Sequence, residues 1–177
     1  EIRAEVTAIL KAPVVSYSGV CAAGGRIFAL KRQPPRQQPF LVVMPSVDRP
    51  EEARVLVDPE RLDPAGGVAI DWYVPAPDGA RLAVSLSRDG TEAGDLHLFD
   101  VATGAAAGEV VPGVNGGTAG GSLAWARAGD GFFYTRYPRP GERPLEDAAF
   151  FVQVFYHRLG TDPAEDRYEI GADFPRI

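Results

Sequence analysis

The sequence is poor in cysteine, histidine, positive charge and unbroken apolar stretches, and each shortage closes off a class of function. A single cysteine, Cys21, excludes an internal disulfide framework and any cysteine-rich zinc site. The longest apolar runs, such as Phe40–Met44, fall far short of the roughly 20 residues a helix needs to cross a bilayer, so no membrane partner is expected. With 18 Lys+Arg against 24 Asp+Glu the net charge is −6, which argues against nucleic acid as the main partner. The chain begins at Glu1 without a charged-then-apolar leader; a trimmed chain is expected, and its compartment stays open.

What is present describes one domain of ordinary size. Of 177 residues, 45% are hydrophobic and 24% charged, a globular balance. A domain of that length buries roughly 70% of its unfolded surface without needing staples. Gly 20 and Pro 16 make up about one residue in five, a density of breakers that no long helix survives. The exception is the start. Ile2, Val6, Ile9 and Leu10 recur at helical spacing and Pro13 follows as a stop, so a short helix is expected over about 2–10.

Beyond Pro13 the pattern turns to short strands in three groups of four. The first group is 14–20, 27–32, 40–45 and 53–57. The second is 68–74, 82–87, 96–100 and 109–111, and the third is 123–126, 132–136, 152–158 and 167–170. The groups also align with one another. Gly24-Gly25-Arg26-Ile27-Phe28 matches Gly79-Ala80-Arg81-Leu82-Ala83 and Gly129-Asp130-Gly131-Phe132-Phe133, each a turn glycine, two residues, then an apolar strand. A repeat of about 50 residues holding four strands reads as a propeller blade. A β-sandwich is the rival, and the internal repeat favours the propeller.

The expected architecture is therefore all-β: a helical lead-in over 1–13, then a partial β-propeller over 14–177. Its four-stranded antiparallel blades lie at about 14–59, 68–113 and 122–170, about three blades of a seven-bladed ring. Three blades leave an open arc, since closure takes roughly four to eight. The chain is thus expected to be a fragment of a longer polypeptide or to close by association.

A search for chemistry returns little. His97 and His157 both fall in strand patterns and read as surface or half-buried structural residues, without acidic partners at ligand spacing. Gly120-Gly121-Ser122-Leu123-Ala124 approaches a nucleophile elbow, but Ser122 leads into a strand where that motif needs a helix. The run from Asn115 to Gly121 lacks a P-loop lysine and reads as a flexible connection between blades that could border a substrate path. Two proline-rich inserts, 33–39 and 138–147, read as rigid or solvated loops, the second also as a possible contact with a neighbouring domain. Phe132-Phe133-Tyr134 and Phe150-Phe151 read as packing between blades, since nothing basic beside them would hold a phosphate backbone.

Several stretches resemble the prolyl oligopeptidases. They include Ala53-Arg54-Val55-Leu56-Val57-Asp58-Pro59, Pro77-Asp78-Gly79, and Asp100-Val101-Ala102-Thr103-Gly104. More specific are Leu123-Ala124-Trp125, Phe133-Tyr134-Thr135-Arg136-Tyr137-Pro138, and Tyr156-His157-Arg158-Leu159-Gly160-Thr161 leading to Asp166. The resemblance covers nearly the whole chain. It implies an N-terminal propeller that screens short proline-containing peptides on their way to a C-terminal α/β-hydrolase domain carrying Ser, Asp and His. Those residues lie outside what these positions match, so the resemblance carries over no catalytic, cofactor-binding or metal-ligating residue and implies no cofactor. For Trp125 and Arg136 structural roles are expected. The implied partners are that hydrolase domain and short peptides. Two alternatives remain open: a stand-alone propeller fragment binding peptide or protein as an oligomer, and a related peptidase that prefers basic residues.

Overall fold

The computed structural model describes residues 2–11 and 14–176. A short helix, α1 (Ile2–Lys11), precedes three four-stranded sheets. Blade 1 holds β1 (Ser16–Ala23), β2 (Arg26–Arg32), β3 (Phe40–Met44) and β4 (Arg54–Val57). Blade 2 holds β5 (Val68–Pro75), β6 (Arg81–Arg88), β7 (Gly94–Asp100) and β8 (Ala106–Asn115). Blade 3 holds β9 (Leu123–Trp125), β10 (Gly131–Arg136), β11 (Gln153–Arg158) and β12 (Arg167–Ile170). Each sheet is an antiparallel meander with its strands in chain order, the arrangement expected from the sequence. A one-turn helix, α2 (Pro59–Leu62), starts the link from blade 1 to blade 2, its first turn capped by the Asp58 carboxylate.

The period-2 pattern of each strand explains how the blades stack. In β6 the sequence Leu82-Ala83-Val84-Ser85-Leu86-Ser87 sends Leu82, Val84 and Leu86 into a core shared with Phe28, Leu41 and Leu56 of blade 1. Ala83 belongs instead to a core shared with Phe132, Tyr134 and Phe155 of blade 3. Ser85 and Ser87, although buried, both donate to the Asp71 carboxylate, at 2.7 and 2.6 Å, so no hydroxyl is stranded. Burial of each large apolar side chain in these seams contributes roughly 1.5–3 kcal/mol relative to exposure.

The repeated turn glycines do more than reverse the chain. Gly24, Gly79 and Gly129 all adopt positive φ, at 54°, 68° and 73°. At Gly24 a Cβ would lie 2.0 Å from the Asp78 carbonyl oxygen, because the blade 1 turn presses on the blade 2 turn and donates Gly24 N–H to the Pro77 carbonyl at 3.1 Å. Arg26 continues the contact by donating to the Gly79 carbonyl at 3.1 Å. Between blades 2 and 3, the Trp125 indole N–H donates to the Val74 carbonyl at 3.1 Å, a structural contact of the kind expected for Trp125.

Some boundaries differ from the sequence expectation for one physical reason. β8 runs over ten residues where only 109–111 reads as strand, and β1 continues to Ala23, past the expected end at Val20. Gly108 and Gly113, at φ 79° and 67°, bracket the expected strand yet lie within β8, and Gly19, at φ 58°, lies within β1; the pairing of both strands carries register shifts that absorb these glycines. In α1, Ile2 and Val6 are exposed; the side chains of Ile9 and Leu10, and Pro13 as its stop, lie outside the described residues.

Candidate functional site

The site is built where the link from blade 2 to blade 3 meets the long β10–β11 connection. Asn115, at the end of β8, anchors the link: its Oδ1 accepts from the Trp72 indole at 3.2 Å and its Nδ2 donates to the Glu92 carbonyl at 3.0 Å. The glycines that follow allow a close approach. A Cβ on Gly117 would lie 2.7 Å from the Tyr137 ring, and Ala119 N–H donates to the Tyr137 hydroxyl at 2.9 Å. Ser122 N–H donates to Thr135 Oγ1 at 2.9 Å. The run expected to be a flexible connection is therefore tied down along the edge of blade 3.

The connection over 137–152 is likewise more structured than a solvated loop. It is organised by arginines. Arg136, at the end of β10, is buried and forms a bidentate pair with Glu142 at 2.7 and 2.9 Å while lying 3.9 Å over the Phe155 ring. Hydrogen bonds from Arg136 hold the Glu142 carboxyl below its ordinary value, and the Arg139 backbone N–H adds to the effect. Arg143 stacks on Phe151 and Arg176 on Phe150, each at 3.8 Å. Phe151 sits at φ 58°, an uncommon conformation for a bulky residue.

Two adjoining clefts result, of about 630 Å³ and about 360 Å³, which share Tyr137 and Ala149. The larger has walls of proline and glycine, with Arg136 and Arg139 among its lining residues. The smaller is aromatic, lined by Phe150, Phe151 and Phe174. Neither is lined by an aspartate or glutamate.

A second cluster spans the seam beside this site. His157 on β11 is fully buried, not surface or half-buried as its strand pattern suggests. Its Nδ1 lies 2.6 Å from Asp166 Oδ1 and its Nε2 contacts Glu109 of blade 2. Tyr134 donates to the other Asp166 oxygen at 2.8 Å, and burial first, then this bond, pushes its phenol well above the ordinary tyrosine range. With a carboxylate beside each ring nitrogen, the imidazole has a partner on both sides and ties blade 2 to blade 3. His97 is half-buried on β7, and burial holds it below the ordinary imidazole value.

These positions do not assemble a nucleophilic site. Ser122 Oγ lies 3.3 Å from Thr135 Oγ1, and among the described residues neither histidine hydrogen-bonds a serine. Among the described residues no group of three His, Cys, Asp or Glu side chains could hold a metal ion. Sequence reasoning missed Glu109 and Glu142. The spacing of His157 and Asp166 is a local signal, whereas Glu109 arrives from another blade and leaves none.

Residues 1–175 match the family model described as prolyl oligopeptidase, N-terminal beta-propeller domain. Protease 2 of Moraxella lacunata is 36% identical over 89 residues, 50% of this chain and 11% of that protein. Prolyl endopeptidase of Elizabethkingia meningoseptica is 27% identical over 131 residues, 73% of this chain and 18% of that protein. A solved structure from work on two prolyl endopeptidases superposes with a TM-score of 0.76 at 22% identity, covering 88% of this chain and 22% of that one. The chain thus spans less than a quarter of the length of these relatives.

Proposed function

The chain belongs to the prolyl oligopeptidase N-terminal β-propeller family, and from that membership we propose that it is the non-catalytic propeller portion of a serine peptidase, gating access of short proline-containing peptides to a C-terminal α/β-hydrolase domain. The observation that carries this reading is the family match over residues 1–175. The relatives named prolyl endopeptidase support the substrate class. Bond cleavage in such an enzyme needs a serine nucleophile, a histidine to move its proton, an aspartate to orient the histidine and an oxyanion hole. None of these is assigned to this chain; its contribution is shape and access. A rim built from loops on a rigid sheet, with clefts at the blade 2–blade 3 seam, suits that task.

The full-length polypeptide tests the proposal. It is expected to cleave a short fluorogenic peptide after proline and to leave a long unstructured polypeptide such as casein intact. Loosening the seam with Glu109→Ala is expected to raise casein cleavage several-fold relative to the short peptide. Absence of post-proline cleavage would overturn the enzyme reading. Equal cleavage of both substrates by the unmodified protein would overturn the gating role.

A further inference from the structure

The paired clefts carry a charge imbalance that asks for a ligand. Arg136 and Arg139 both line the larger cleft, and Glu142 is the carboxylate that serves them. Arg136 takes both Glu142 oxygens through its guanidinium, whereas Arg139 reaches Glu142 only through its backbone N–H. Among the described residues the Arg139 side chain makes no ion pair, and its Nη2 is shut off from solvent without an acceptor. Arg136 Nε is in the same condition. The other two arginines of the rim are served: Arg143 donates to the Ala172 carbonyl, and Arg176 pairs with Asp147 at 2.8 Å. In a chain of net charge −6, a cleft with two guanidiniums and no lining carboxylate is a local reversal of sign. One uncompensated positive charge remains beside apolar walls, where a low dielectric strengthens its pull on an anion.

We propose that these joined clefts bind the C-terminal end of a short apolar peptide, with Arg139 taking the terminal carboxylate and the aromatic cleft beyond Tyr137 taking the side chains that precede it. The single residual charge matches a monoanionic carboxylate. The larger cleft, at about 630 Å³, has the size of sites that enclose a few residues of chain. Tyr137, held by Ala119 N–H and pressed by Gly117, is common to both clefts and forms a rigid shared wall. Phe150, Phe151 and Phe174 supply an apolar surface at the far end. An incoming carboxylate accepts from the part of the half-buried Arg139 guanidinium that stays open to the cleft, Nη2 itself being closed off, and balances its charge. This assignment does not rest on the gating reading, since binding at this rim needs no catalytic step.

The probe is fluorescein-labelled Ala-Ala-Ala-Leu-Phe, which offers no post-proline bond, compared with its C-terminal amide by fluorescence anisotropy on the full-length polypeptide. The free carboxylate is expected to bind about tenfold or more tightly than the amide, the usual scale of one charge-assisted hydrogen bond. Arg139→Gln is expected to abolish that preference without moving the melting temperature, and Arg139→Lys to retain part of it. Equal binding of acid and amide by the unmodified protein would overturn the proposal, as would a preference that survives Arg139→Gln. An amidated Ala-Ala-Asp-Leu-Phe that binds as well as the free acid would overturn the terminal assignment. Absence of saturable binding up to millimolar peptide would sink the site. The acid–amide comparison is made on the natural protein and stands whether or not either variant folds.

Discussion

Glu109 of blade 2 and His157 of blade 3 share a hydrogen bond across the seam, where His157 is fully buried and Glu109 is 18% exposed. Asp166 holds the other side of the ring at 2.6 Å, and Glu109 also receives Gly160 N–H at 3.3 Å. Removing Glu109 leaves a buried ring nitrogen facing nothing. A buried hydrogen-bonding group left without its partner costs about 1–3 kcal/mol, and Glu109→Ala is expected to lose stability on that scale. Urea denaturation of the full-length polypeptide checks it. A midpoint unchanged within error would show that the seam is held by apolar packing alone.

Acid weakens a different contact, between Arg136 and Glu142. Hydrogen bonds from Arg136 lower the Glu142 pKa in the folded state below its ordinary 4.5. Its stabilising contribution is therefore complete above the unfolded value and is lost as pH falls through the folded one. The stability difference between the natural protein and Glu142→Gln is expected to be flat near neutrality and to shrink below about pH 4.5. Denaturant midpoints measured from pH 7 to pH 3 test this; a difference that grows toward acid would reverse the sign of the argument. Because Glu142 is 39% exposed, the effect is modest.

Gly24→Ala brings two penalties together. The backbone sits at φ 54°, and the new Cβ would meet the Asp78 carbonyl oxygen at 2.0 Å, so one blade turn must move off the other. A strained left-handed residue alone costs about 1–3 kcal/mol. At Gly129 φ is 73°, but no atom lies within 4 Å of the added Cβ, so Gly129→Ala carries the conformational cost without the clash. Thermal melts of both variants are expected to show the Gly24 substitution as clearly the worse. Equal losses would mean that the turns do not bear on each other.

The blades were legible in the sequence because they repeat. Gly24, Gly79 and Gly129 each open a strand whose residues alternate between neighbouring cores, and period-2 patterning is local information. The seams were legible only on their apolar side, through residues such as Leu82 and Phe132. Their polar ties were not: Glu109 is 48 residues from His157, and nothing around it marks a partner. The rim was illegible for a different reason. Gly117 reads as flexibility until the Tyr137 ring is seen against it, and Arg139 reads as a solvated loop charge until its neighbours are found to be proline and alanine.

The repeat makes a last prediction about Phe133. Phe28, Ala83 and Phe133 hold the same place in the three repeats, and Phe28 and Ala83 each pack against the blade that follows. Phe28 and Ala83 are fully buried by that next blade, whereas Phe133 is 36% exposed, against Tyr156 at 5.0 Å and on the same blade as the exposed Ile170. If a further blade covers this face in the full-length polypeptide, Phe133→Ala there should cost about 3–5 kcal/mol, as for any buried phenylalanine. In residues 1–177 expressed alone the same substitution should cost far less and should reduce concentration-dependent association seen by sedimentation. Chemical denaturation of both forms separates the cases. A small loss in both would mean that Phe133 faces water in the whole protein and that the inter-blade packing ends at blade 3.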